Sequence, residues 1–481
     1  MSELGEWIET ERRYAVGAML ASVSATHLVK ERPGFGQTIV PRPGSIVASP
    51  VPASYDPDPD YFFHWFRDSA IVIDALRVAW REGLIDKSAL LRLREFVTFS
   101  LSLRTLNGEK FLRQADFRSK VQPFFLQYVR PDDQIAAVSG ENVLADTRVN
   151  PDGTLDISRW NRPQADGPAM RCIALLRWLR QRLDLEPTLR SAIHALLDGD
   201  LAFTLARVKQ PSFDIWEEQN GFHYHTQIVQ AEALDQGAAW LDENGEAARA
   251  DACRTAANDI QGRLERLWNG RVYASRASST TSSTDRELDV AVILGTLHAG
   301  RPSGPHSVLD PRAQATLTAL EELFESEYAI NQDRPRDHAP ALGRYTRDAY
   351  YSGGAYYFAT LAAAEFYYAL ATALFEGAGI AVTEDNALFI RRLATGSEER
   401  DNRTLAAHAL RRGDAFMRTV RAYTPSDGEL SEQFDQKTGA QTSAKHLAWS
   451  YAAFITAASA RTQAIVASSA ANQPGSRAST A

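Results

Sequence analysis

Cysteine is scarce in this chain: two residues among 481, Cys172 and Cys253, with no motif spacing between them. That argues against a disulfide framework and against a thiolate metal site; buried free thiols in a reducing compartment are the expectation. A basic excess is also lacking. The formal net charge is −8 with 23% charged residues, and an acidic balance does not provide the basic face that nucleic acid requires. No apolar run approaches the roughly 20 residues of a membrane span, so no membrane partner is expected. The opening Met1-Ser2-Glu3-Leu4-Gly5-Glu6-Trp7 has neither the basic nor the apolar region of a secretory signal, which sets the expectation of a cytoplasmic protein. Phosphate-loop, dinucleotide and nucleophile-elbow motifs are missing. His223 and His225 have no third ligand at metal spacing. Neither a cofactor nor a metal is expected, and the protein is expected to be a monomer.

What the chain has in quantity is helical pattern. Amphipathic or apolar periodicity predicts helices over about 3–27, 68–83 (with Asp68 and Ser69 as N-caps), 86–106, 167–183, 187–208, 223–241, 245–269, 286–299, 310–328, 354–376, 400–423 and 445–463. A shorter helix is expected near 384–394. Residues 107–165 hold few periodic runs and the turn signal Asn150-Pro151-Asp152-Gly153. After Thr462 the chain is Ala/Ser-rich with Pro474 and Gly475, and residues 464–481 are expected to form a disordered tail behind a single domain, 1–463.

The predicted helices alternate in character. Every second one is apolar nearly all round, as in Ile71-Val72-Ile73-Asp74-Ala75-Leu76 and Leu447-Ala448-Trp449-Ser450-Tyr451-Ala452-Ala453-Phe454-Ile455. Such helices are buried on all sides. Those between carry a charged face, as in Glu246-Ala247-Ala248-Arg249-Ala250-Asp251. Six buried helices alternating with six surface helices predict an all-α fold, the (α/α)6 barrel. Its site would lie at the N-terminal ends of the inner helices, where free amides and partial positive charge face the opening.

The loops that lead into the inner helices concentrate aromatic, acidic and arginine residues. They read Asp60-Tyr61-Phe62-Phe63-His64-Trp65-Phe66-Arg67-Asp68, Trp160-Asn161-Arg162-Pro163-Gln164, Asp214-Ile215-Trp216-Glu217-Glu218, Gly343-Arg344-Tyr345 with Tyr350-Tyr351, and Glu429-Leu430-Ser431-Glu432-Gln433-Phe434-Asp435. Rings stack on the C–H faces of a pyranose, and charged groups hydrogen-bond its hydroxyls. Cleaving a glycosidic bond takes two carboxyl groups, one protonated and one ionised. Glu217 and Glu218 are neighbours, so in an extended loop their side chains point opposite ways and only one faces the scissile bond.

In sequence order these motifs, with Ile46-Val47-Ala48-Ser49-Pro50 and Leu447-Ala448-Trp449-Ser450-Tyr451, resemble the glucoamylases, glycoside hydrolase family 15, over roughly residues 10–463. The resemblance implies an inverting exo-hydrolase that releases β-glucose from the non-reducing ends of α-1,4-glucans such as maltooligosaccharides, glycogen or starch. Position by position, it implies Glu217 as general acid and Glu432 as general base. Arg67, Asp68, Arg344 and Glu218 fall where the family holds the terminal glucose. Tyr61, Trp65, Trp160, Trp216, Tyr350 and Trp449 fall on the aromatic lining, with Tyr345 and Gln433 in the same motifs, and Tyr61 and Ser443 on groups that orient the base. Two departures border the aglycone side: Ser352-Gly353-Gly354-Ala355-Tyr356 replaces a family segment, and the loop at about 113–150, with Gln122-Pro123-Phe124-Phe125-Leu126-Gln127-Tyr128-Val129-Arg130, is longer. Specificity for α-1,6-glucans or trehalose, or silent carbohydrate binding, are the alternatives. With no room in 481 residues for a starch-binding module, soluble maltodextrins or glycogen are expected over raw starch.

Overall fold

The computed structural model describes residues 2–114, 116–181, 185–277, 286–394 and 401–471. Its main helices are α1 (Glu3–Ala21), α2 (Phe66–Arg81), α3 (Ser88–Ser102), α4 (Asp166–Leu179), α5 (Pro187–Arg207), α6 (Tyr224–Glu243), α7 (Ala247–Glu265), α8 (Ala291–Ala299), α9 (Pro311–Glu327), α10 (Tyr357–Phe375), α11 (Ala387–Leu393), α12 (Asn402–Tyr423) and α13 (Ala448–Ala471). Each corresponds to a helix expected from periodicity, with altered ends. Local chemistry explains several of these. Asp310 caps α9 by accepting from Arg312 N–H, and Pro311 opens it. Asp401 caps α12 through Arg403 and Thr404. Gly300, at φ 68°, ends α8 in the left-handed conformation that glycine tolerates.

Some expectations need correcting. Asp68 and Ser69 are not N-caps: α2 begins at Phe66 behind Trp65, and Asp68 sits inside the first turn, where its charge complements the helix dipole. Residues 107–165, where few periodic runs were expected, lack a long helix. They fold as short turns, including helices at Gly108–Gln114 and Asp132–Ala136, around a core with Phe117, Val143, Leu144, Val149 and Leu155. The expected tail is helical as far as Ala471. Alanine has the highest helix propensity, and buried Ala464 and Ala467 continue the packed face. The rest of that tail lies outside the described residues.

The chain packs as two compact units: Val16–Leu264 with Ala444–Ala452, and Met1–Ala15 with Glu265–Ser443 and Ala453–Ala481. In the first, α2 packs on α4 and α4 on α6. Burial there follows the predicted alternation: 13 of the 16 residues of α2 are buried, but only five of the 19 of α7. In the second unit, α8 and α12 both pack on α10. By length and composition α10 could cross a membrane, which the sequence reading did not anticipate. Yet 72% of its apolar window is buried inside the protein. It is an inner helix that is apolar because neighbours surround it.

Short antiparallel ladders join the loops that precede the buried helices. In the first unit β1 (Lys30–Arg32) pairs with β2 (Gln37–Ile39), β3 (His64–Trp65) with β4 (Arg148–Val149), and β5 (Ser212–Phe213) with β6 (Asn220–Gly221). In the second, β7 (Ala355–Tyr356), β8 (Gln433–Phe434) and β9 (Gln441–Thr442) form one three-stranded ladder. These strands are only two or three residues long, too short to leave a periodic signal.

A buried ion pair fastens α4 to α5. Arg171 Nε and Nη2 donate to the two oxygens of Asp200 at 2.9 and 2.6 Å, with neither residue more than 1% exposed. Asp200→Ala should lower unfolding free energy by about 3–5 kcal/mol, because it strands a buried guanidinium. Arg171→Met/Asp200→Leu should recover most of that loss, read as the thermal unfolding midpoint. On α1, burial, reinforced by the Asp427 charge, pushes the Glu11 carboxyl up to about 7. The folded chain therefore holds this proton more tightly than the unfolded chain. The contribution to stability is full below about pH 4 and is lost as pH rises through about 7. Glu11→Gln should raise the melting temperature at pH 8 and leave it nearly unchanged at pH 4.

Candidate active site

The hairpin β5–β6 presents Trp216, Glu217 and Glu218 at its tip. Asp214 organises the turn: its carbonyl accepts Glu217 N–H at 2.9 Å, and its carboxylate accepts the N–H groups of Glu218 and Gln219 at 2.7 and 3.1 Å. Glu217 has φ 62°, a conformation costing roughly 1–2 kcal/mol for a residue with a side chain. Asn161 Nδ2 holds its carbonyl at 2.6 Å. The two glutamates are therefore parted by a left-handed turn, and not by the alternation of an extended strand. Glu217 is buried and Glu218 half-buried.

Three N–H groups converge on the Glu217 carboxyl. Trp65 Nε1 and Arg67 Nη2 donate to Oε1 at 2.8 and 3.0 Å, and Trp160 Nε1 donates to Oε2. Trp65 is placed by the β3–β4 ladder, in which it pairs with Arg148, while Arg67 follows on the first turn of α2. Arg67 stands among three acids: Glu217, Asp68 Oδ2 at 3.2 Å and Asp166 Oδ2 at 3.7 Å, the last on the first turn of α4. These charges outweigh the burial that would favour a neutral guanidine, so Arg67 stays charged. Burial pushes the Asp68 carboxyl up; Arg67 opposes the shift and the Glu217 charge adds to it. Burial likewise raises Asp166 to about 6, against Arg67 and with Glu217. Neither Asp166 oxygen has a hydrogen-bond partner among the described residues.

Aromatic rings enclose this cluster. Tyr61 lies 5.2 Å from Trp65, Trp65 lies 6.3 Å from Trp160, and Arg67 sits 5.4 Å from the ring of Trp449, on the first turn of α13. Behind them the Arg148 guanidinium lies 3.6 Å from the Trp160 ring centre, 4.0 Å from Phe63 and 4.8 Å from Trp65. Arg148 donates to Asp156 at 2.9 Å and Ser158 at 3.2 Å, and Asp156 also accepts from Arg162 at 2.8 Å. Burial alone would raise the Asp156 pKa, but the two guanidiniums hold it well below the usual range. Arg148, Asp156 and Asp166 escaped the sequence reading. Arg148 and Asp156 lie outside the family motifs, and Asp166, inside the motif Trp160–Pro168, was given no role because it looks like an ordinary first-turn acid.

In the second unit the β8–β9 register pairs Gln433 with Thr442, so the flanking Glu432 and Ser443 meet. Ser443 Oγ donates to Glu432 Oε2, and Ser443 has φ 63°. Glu432 is 8% exposed, close to the 9% of Glu217. Arg344 makes a two-pronged ion pair with Asp348 at 2.6 and 2.5 Å, a partner the sequence reading missed four residues downstream. The rings of Tyr345, Tyr350 and Tyr356 stand 5.1–5.6 Å from its guanidinium. Tyr345 is buried, accepting from Arg344 at 3.3 Å and stacking under Arg286. Gln433 departs from its expected place among sugar contacts. Fully buried, its amide donates to Tyr356 Oη at 2.7 Å and Tyr350 O at 3.2 Å, so it braces the loops.

His64 is a core residue. It is fully buried among Phe66, Phe96 and Phe99, and Nδ1 accepts Ile46 N–H at 3.0 Å. Burial and Arg171 depress it to about 3, so it is neutral. His225 Nδ1 lies 3.7 Å from Asp166 Oδ2. Among the described residues no group of three His, Cys, Asp or Glu is placed to hold a metal ion. Cys172 and Cys253 are both free and buried.

The sequence profile of Glycosyl hydrolases family 15 matches residues 36–104 and 132–459. Glucoamylase-1 of Arthroderma benhamiae is 30% identical over 446 residues, covering 89% of this chain and 66% of that protein. This chain thus spans about two thirds of that relative's length. Among solved structures, glucoamylase from Hormoconis resinae superposes with a TM-score of 0.77 at 27% identity, covering 95% of this chain and 74% of that one. The family 15 glucoamylase from Hypocrea jecorina gives 0.78 at 25% identity, covering 99% and 76%. The fold class is the all-α (α/α)6 barrel that the alternating helices predicted. The chain belongs to the glycosyl hydrolases of family 15.

Proposed function

We propose that the chain is an inverting, exo-acting glucan 1,4-α-glucosidase that removes glucose from the non-reducing ends of maltooligosaccharides, glycogen or starch. The observation that carries this reading is the Glu217 carboxyl, fixed on a strained hairpin tip by two indole N–H groups and one guanidinium. The glucoamylase names of the relatives agree with it.

In this mechanism Glu217 gives its proton to the glycosidic oxygen as the C1–O bond breaks. Negative charge then grows on the Glu217 carboxylate. Trp65, Arg67 and Trp160 already point at both oxygens and stabilise that charge without rearranging. Glu432, oriented by Ser443, takes a proton from the water that attacks C1 from the opposite face. The product is β-glucose, and the proton gained by Glu432 returns through solvent to Glu217. Arg67, Asp68, Glu218 and Arg344 would hold the terminal glucose hydroxyls, while Tyr61, Trp160, Trp216, Tyr350 and Trp449 line its faces. Inversion needs about 6.5–9.5 Å between the two carboxyl groups, a separation that a crystal structure with a bound glucose analogue would measure.

Glu217→Gln and Glu432→Gln should each lower kcat on maltotriose by about 10²-fold or more; near-normal rates would reject both roles. Proton NMR during early hydrolysis should show the β-anomer first, and initial α-glucose would refute inversion. Initial rates should rank maltotriose above isomaltose and trehalose. Trehalose as the sole good substrate would replace the α-1,4 reading.

A further inference from the structure

The family match breaks between residues 104 and 132. This interval contains the chain's most exposed cluster of aromatic rings. Residues Pro123–Tyr128 form a 3-10 turn in which Phe124 is 66% exposed, Tyr128 47% and Leu126 43%. The rings of Phe124 and Tyr128 lie 6.0 Å apart, and both contact Phe125, at 5.5 and 6.3 Å.

The cluster is held rigidly. Phe125 turns inward onto Phe35 at 5.4 Å, and it passes so close to Gly34 that a Cβ there would sit 2.6 Å from its ring. Gln122 N–H donates to Gly34 O at 2.9 Å. At the other end the segment runs antiparallel to the extended stretch that leads to Trp160. Arg159 N–H donates to Tyr128 O at 2.7 Å, Arg130 N–H donates to Ile157 O at 2.8 Å, and Val129 bridges Ser158. The residue after Arg159 is Trp160, which bonds Glu217. Cross-strand and along-chain spacings put the backbones of Tyr128 and Trp160 within roughly 9 Å of each other.

We propose that Phe124 and Tyr128 form a binding platform for the remote sugars of a long α-glucan whose terminal residue occupies the Glu217 site. The occupant follows from chemistry and place. The exposed groups are mainly rings, suited to pyranose C–H faces. Residues Val121–Val129 carry no charge, while Gln122, Gln127 and the tyrosine hydroxyl supply hydrogen bonds at the edge. The surface is joined by backbone hydrogen bonds to the extended stretch that leads to Trp160. The proposal rests on the glucan-hydrolase reading above and adds the part of the substrate beyond the scissile bond.

The test uses the full chain, with Phe124→Ala/Tyr128→Ala and Phe124→Trp/Tyr128→Trp as paired variants. The ratio of kcat/KM on maltoheptaose to that on maltose should fall five- to tenfold in the alanine pair and be retained in the tryptophan pair. In a Glu217→Gln background, electrophoretic retardation by glycogen should weaken in the alanine pair; this readout does not depend on hydrolysis. Equal losses on both substrates, or unchanged retardation, would overturn the proposal. So would a self-associating wild type that the alanine pair makes monomeric while retardation stays the same, which would mark the rings as a contact between copies. Failure of the wild type to release glucose from any α-glucan would reject the hydrolytic reading, and the glycogen assay would still decide the platform.

Discussion

A buried carboxyl group must be given hydrogen-bond partners, and the first unit is built around meeting that need at Glu217. Two indoles and a guanidinium supply them. Each donor then creates a demand of its own. Arg67 is a buried cation and draws in Asp68 and Asp166. Trp160 must be held edge-on to the acid, and Arg148 stacks beneath its ring to keep it there. Arg148 needs its own counter-charge and finds it in Asp156. The site is a sequence of obligations in which one buried polar group requires the next.

Two-residue ladders convert distance along the chain into adjacency. Trp65 is brought to the loop of Arg148 by β3–β4, and Glu432 is brought to Ser443 by β8–β9. In both units a candidate site residue departs from the strand next to it through an unfavourable backbone conformation, Glu217 at φ 62° and Ser443 at φ 63°. A left-handed residue re-aims a side chain sharply without adding chain length. The surrounding hydrogen bonds, from Asp214 and Asn161 at Glu217, hold that geometry against its cost.

The helices were legible because burial leaves a periodic trace. A helix packed on every side, such as α10, reads as apolar throughout, and one half in water, such as α7, reads as striped. The residues around Glu217 were legible because they cluster in short aromatic and acidic motifs. What escaped lies between the motifs. Asp348 lies four residues beyond Arg344, outside the motif that ends at Tyr345, yet forms its two-pronged partner. Gln433 sits in the most suggestive part of its loop, and its amide is engaged by Tyr350, Ser352, Gly354 and Tyr356. No spacing rule distinguishes an amide that meets a ligand from one that meets its own protein. The ladders were invisible because two residues cannot display alternation. The helical end of the chain was misread because alanine and serine are shared by helices and tails.

The acids and arginines beneath Trp160 form an unbroken alternation: Arg130 to Asp146, Asp146 to Arg162, Arg162 to Asp156, and Asp156 to Arg148. None of the five is more than partly accessible. Removing Asp146 or Asp156 leaves the arginine at that end of the series without its counter-charge, a worse state than losing the pair together. The network is therefore vulnerable at its two acids and tolerant at its three bases, and the exposed aromatic turn, which ends two residues before Arg130, is tied to the acid nearest it, Asp146.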